Sequence, residues 1–150
     1  MSTARVVLSA PYVLEYVYRR SVGPVLGRFL AGLRDGRILG ARTPAGRVLV
    51  PPAEYDPETS EPVGDLVEVG TAGVVTTWTW VEAPRTRHPL QQPFAWALIK
   101  LDGADTPMLH AVDAGSRDAM STGMRVRVRW RAERTGEIGD IACFEPEARS

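Results

Sequence analysis

Cysteine is almost missing from this chain. Cys143 is the only one in 150 residues, so no internal disulfide can form and secretion gains no support. Lysine is as scarce: Lys100 stands alone among 18 basic residues, a bias that reads as codon usage and not as a binding signal. Net charge is missing too, with 18 basic against 18 acidic side chains. That balance weighs against an electrostatically driven nucleic-acid partner and favours association over a monomer. Long apolar runs are also lacking. Residues 1–8, MSTARVVL, hold no signal-peptide core, and no later run approaches a membrane span, so a cytoplasmic protein with no membrane partner is expected. There is no G-x-S-x-G, H-E-x-x-H, phosphate loop or G-x-G-x-x-G, and no catalytic set is expected on this chain alone.

What is present falls into zones. Residues 1–40 read as a helical segment. Val13, Val17, Leu26, Phe29, Leu30 and Leu33 recur at helical spacing, interrupted by Gly23-Pro24. Proline costs a helix interior about 3 kcal/mol. The spacing therefore predicts a helix pair: Tyr12–Arg20, then a second helix from Pro24 at its first position to about Asp35, stopped by Gly36. Residues 41–63 are an insert. Its stretch RTPAGRVLVPPAEYDPETS (42–60) sets two turn signals across the short run Val48-Leu49-Val50, the outline of a zinc ribbon, yet without a cysteine.

Residues 64–146 are β throughout. Alternation across Val67–Val81 predicts a strand pair, and Phe94–Leu101, Leu109–Asp113, Met124–Arg131 and Ile138–Phe144 complete a set of about five strands. A short helix fits Ser116–Ser121, after the third. That is the layout of a five-stranded OB-fold barrel, followed by a tail at 147–150. The expected class is mainly β with N-terminal helices.

Six blocks carry a family resemblance: SVGPVLGRFLAGLRDGRILG (21–40), GRVLVPP (46–52), G-x-V-x-T-W-T-W-V (73–81), QPFAWALIKLDGA (92–104), TGMRVRVRW (122–130) and IGDIACFEP (138–146). In this order the chain resembles the OB-fold acyl-CoA-associated family of zinc-ribbon proteins. The resemblance implies a helix pair, a rubredoxin-like ribbon and a barrel. It also implies an accessory subunit beside a thiolase-fold enzyme, either a thiolase or a sterol-carrier-type enzyme cleaving steroid side chains, with the acyl-CoA met through that partner. Family members carry Cys-x-x-Cys in each knuckle. Here Thr43 stands at the first cysteine, the turn to Gly46 is one residue short, and Asp56 and Thr59 occupy the second pair. A structural zinc wants four N or S donors, so no cofactor and no zinc is expected, and the insert reads as a degenerate ribbon held by Pro44, Pro51, Pro52 and Pro57.

Side chains with chemistry are few. Tyr12, Tyr16 and Tyr18 combine an apolar ring with a polar tip, which suits core docking or partner contact. Trp78 and Trp80 share one face of a strand, and Phe94 and Trp96 one face of the next. If the strands pair, the four rings form a patch that either fills the barrel or meets a partner or an acyl chain. His110 reads as structural or interfacial, since Asp113 points to the opposite face of its strand. Cys143 reads as buried and inert. Arg85 and Arg87, beside His88, are the candidates for CoA phosphates. The alternation Arg125, Arg127, Arg129, Arg131 raises the alternative function, an OB-fold module for single-stranded nucleic acid. Against it, Glu133, Glu137, Asp140 and Glu145 are at hand to neutralise the stripe.

Overall fold

The computed structural model describes residues 6–148. Among them the N-terminal segment holds one helix, not a pair. Helix α1 spans Pro24–Arg34, with proline in its first turn and Gly36 at φ 73° just past its end, as the punctuation predicts. Residues 6–22 have no regular structure, which corrects the expected helix at Tyr12–Arg20. So short a helix does not offset its own nucleation in water, and its valines and tyrosines are middling helix formers. Its apolar side chains stay exposed instead of packing on the rest of the fold.

After α1 come β1 (Ile38–Arg42), the short β2 (Val48–Leu49) and β3 (Leu66–Val69). They make a three-stranded antiparallel sheet in the order β2-β1-β3. Strands β4 (Ala72–Val81), β5 (Phe94–Leu101), β6 (Met108–Val112), β7 (Arg125–Trp130) and β8 (Ile141–Pro146) close a barrel in the order β4-β5-β6-β8-β7. The strand pair expected over Val67–Val81 is thus divided. Its first member joins the ribbon's sheet and its second opens the barrel. The short helix after the third barrel strand is a 3-10 turn at Arg117–Ala119. A second 3-10 turn, Ile138–Asp140, delays the last strand to Ile141. Five barrel strands with a helical turn after the third make the OB-fold layout.

One continuous core joins the parts. Phe29 and Leu33 of α1, Ile38, Val48 and Val50 of the small sheet, and Val75, Ile99, Met108, Val126 and Phe144 of the barrel belong to the same buried cluster. At Gly73 of β4 a Cβ would run into the Lys100 carbonyl and the Leu101 Cα of β5. Only glycine permits that approach.

Candidate functional site

The barrel divides the aromatic residues between two faces. Trp78 pairs with Ala97 and Trp80 with Ala95 across β4 and β5, whereas Trp96 pairs with Thr79 and Phe94 with Val81. Cross-strand partners share a face, so the two tryptophans of β4 lie on the core side, half-buried against it, and Phe94 and Trp96 lie outside. The four rings do not form one patch. Strand periodicity alone misses this, because a register shift between Val75 and Thr77 changes which residues of β4 face inward.

Phe94 and Trp96 have a different companion. The loop after β4 folds back over them and sets His88 edge-on, its ring centroid 5.5 Å from Phe94 and 6.2 Å from Trp96. The His88 Nδ1 accepts the Arg85 N–H at 3.1 Å, which fixes the loop's turn. Leu90 and Val81 complete this outer cluster around buried Phe94, Ala111 and Cys143. Arg85 and Arg87 stay exposed at the loop's rim.

His110 and Cys143 are poorly placed for acid–base or nucleophilic work. His110 is buried, with its ring 5.5 Å from Phe144 and its Nδ1 accepting the Ala111 N–H at 2.9 Å. Burial holds its pKa below the usual imidazole value, against the opposing pull of the Ala111 backbone. Neither nearby carboxylate pairs with it: Asp113 accepts Arg129 at 3.0 Å, and Asp105 accepts the Val48 N–H at 2.8 Å. Burial also pushes the Cys143 thiol up, so it stays protonated and unreactive.

The arginine stripe is occupied. Arg125 reaches Asp102 at 2.6 Å and Glu147 at 2.7 Å. Arg127 and Arg129 share Glu145, at 3.1 and 2.7 Å, and Arg131 reaches Glu137 at 2.7 Å. The hydrogen bond from Arg129 holds the Glu145 carboxyl below its ordinary range, and Arg125 does the same for Asp102. Asp102 and Asp113 are partners that no spacing argument could supply, since barrel closure brings them to the stripe. Asp140 directs its carboxylate to the N–H groups of Thr135, Gly136 and Glu137 instead.

What remains open is the N-terminal arm. Ten large apolar side chains between Val6 and Val22 are exposed, Tyr12 at 84%, Tyr16 at 76% and Tyr18 at 78% among them. Glu15 lies 4.0 Å from Arg87, so the arm passes beside the loop that carries Arg85 and His88. Arm and loop thus share one side of the molecule. Among the described residues no helix is long and apolar enough to cross a membrane.

Residues 66–131 match the family described as ChsH2, C-terminal OB-fold domain. Two solved structures are similar in fold. One is a chain of the Ltp2-ChsH2(DUF35) aldolase, 19% identical, with 85% of this chain and 98% of that chain covered at a TM-score of 0.62. The other is a DUF35-family protein of unknown function from Sulfolobus solfataricus, 20% identical over 84% of this chain and 85% of that one, with a TM-score of 0.60. No curated protein matches. From β3 through β7 the chain is accordingly similar to the ChsH2 C-terminal OB-fold domain.

Proposed function

We propose that this chain is a non-catalytic accessory subunit that binds and stabilises a thiolase-fold enzyme acting on acyl-CoA or steroid side-chain CoA thioesters. The observation that carries the reading is the arm. Burying a large apolar side chain stabilises by about 1.5–3 kcal/mol, and ten of them between Val6 and Val22 lie uncovered. Exposed apolar surface on that scale marks an interaction site. The tyrosines suit such a surface, where a ring is buried and a hydroxyl stays wet. Support for an aldolase-type partner comes from the fold likeness to a chain of the Ltp2-ChsH2(DUF35) aldolase. In this reading the partner holds the catalytic groups, and the loop with Arg85 and Arg87 lies near the entrance for the CoA thioester, where its guanidinium groups meet phosphate.

The test is co-expression with a thiolase-fold enzyme encoded alongside it, followed by size-exclusion chromatography and an assay of carbon–carbon bond cleavage. Co-elution at fixed stoichiometry, with activity that requires both chains, is the expected result. A monodisperse chain that cleaves a CoA thioester alone would overturn the proposal.

A further inference from the structure

We infer that the ribbon at 42–62 is a metal-independent clasp, in which Thr43 and Asp56 organise the two knuckles and an Arg47–Glu58 ion pair joins them. The knuckles are built alike. In the first, the Thr43 N–H donates to the Arg47 carbonyl at 2.8 Å and the Gly46 N–H to the Thr43 carbonyl at 2.9 Å. In the second, the Asp56 N–H donates to the Glu61 carbonyl at 2.8 Å and the Ser60 N–H to the Asp56 carbonyl at 2.8 Å. Each turn closes through a residue at positive φ, Gly46 at 86° and Ser60 at 61°.

In each knuckle the opening residue is polar and buried, Thr43 at 3% and Asp56 at 4% exposure. Each turns its side chain back on its own loop. Thr43 Oγ1 accepts the Arg47 N–H at 3.1 Å, and Asp56 Oδ1 accepts the Glu58 N–H at 2.9 Å. These are the positions where the family resemblance places cysteines. A hydroxyl and one carboxylate, both already engaged with backbone, do not supply the four N or S donors of a structural zinc. Among the described residues no three His, Cys, Asp or Glu side chains gather to hold a metal. An ionic link between the knuckles runs from Arg47 to Glu58, and a guanidinium there repels a cation. A zinc site does not fit this ribbon.

The consequence is a ribbon indifferent to chelators and sensitive to the loss of two buried polar side chains. The whole purified chain would be analysed for metal content, melted with and without EDTA and with added zinc, and followed by amide exchange over residues 42–62. The expected results are substoichiometric zinc, the same melting temperature in all three conditions, and ribbon amides that keep their protection in EDTA. Asp56→Ala and Thr43→Val should each lower that protection by about tenfold, the loss expected when a buried N–H is left without its acceptor. Thr43→Ser should restore it. Stoichiometric zinc, or melting that falls on chelation, would overturn the inference. So would unchanged ribbon protection in both Asp56→Ala and Thr43→Val. If those two variants fail to fold, the chelation result on the unaltered chain decides alone. None of these readouts depends on the partner enzyme.

Discussion

Asp105 grips Val48 at both of its backbone groups: the carboxylate Oδ2 accepts the Val48 N–H at 2.8 Å, and the Asp105 N–H donates to the Val48 carbonyl at 2.9 Å. Thr106 does the same for Val50, its hydroxyl accepting the Val50 N–H at 2.8 Å and donating to the Val50 carbonyl at 3.2 Å. Both grips come from the connection between β5 and β6, so the barrel satisfies the free edge of β2. An uncovered edge would leave those groups unpaired or open to another chain. This stitching, together with the shared core, makes the small sheet a rigid extension of the barrel.

Removing the grip should loosen the sheet. Asp105→Ala and Thr106→Val each leave a buried N–H without an acceptor, which costs about 1–3 kcal/mol. Urea unfolding should show a lower midpoint with an unchanged slope. Asp105→Asn keeps an acceptor and should cost less than Asp105→Ala. Equal stability of Asp105→Ala and the unaltered chain would mean that solvent replaces the carboxylate there.

His110 should make stability pH-dependent below neutrality. Its folded pKa lies under the unfolded value of about 6.5. The unfolded chain therefore takes up the proton first as pH falls. The contribution of the neutral ring is complete above about pH 6.5 and is lost as the pH drops through the lower folded value. Urea midpoints measured between about pH 7.5 and 5 should show the decline. His110→Gln, which cannot titrate, should flatten it. An unaltered slope in that variant would assign the effect to other groups.

Much of this fold is legible in the sequence, for physical reasons that also mark where legibility ends. Pro24 and Gly36 delimit α1 because their backbone constraints are local. The barrel strands announce themselves through alternation with turn residues between. The face on which Trp78 and Trp80 lie is not local: it follows from their pairing opposite Ala97 and Ala95 after the shift near Val75. The stripe's pairing with Asp102 and Asp113 likewise exists only once the barrel is closed. Residues 12–20 show a different limit. Apolar spacing reveals that a segment has a face to bury, but it does not say whether the burying surface belongs to the same chain.

The arm supplies a prediction that separates folding from association. Its side chains are exposed, so deleting residues 6–20 should leave the melting temperature of the isolated chain within about 2 °C, as for surface changes that touch no packed feature. The same deletion should abolish capture of the proposed thiolase-fold partner. Replacing Tyr12, Tyr16 and Tyr18 by serine should weaken capture in the same direction with helix α1 intact by circular dichroism. A truncated chain that still co-elutes with the partner would move the interface to the barrel.

The arginine stripe supplies the sharpest contrast with the nucleic-acid alternative. Exposed ion pairs contribute roughly 0–1 kcal/mol each and weaken with salt. Arg127→Gln and Arg129→Gln should therefore lower stability only slightly, and less at high ionic strength. The lowered folded pKa of Glu145 adds an acid limb. Its pairing with Arg129 is fully present above the unfolded carboxyl value of about 4.3 and is lost as pH falls through the lower folded value. An OB-fold that tracks single strands needs cationic side chains free for phosphate. Here Arg125, Arg127, Arg129 and Arg131 are each held by a carboxylate. Fluorescence anisotropy with a labelled oligo-dT should show no saturable binding at about 150 mM salt. Tight binding whose affinity falls steeply with salt, and which Arg127→Gln weakens, would instead mean that phosphates displace Glu145 from the stripe.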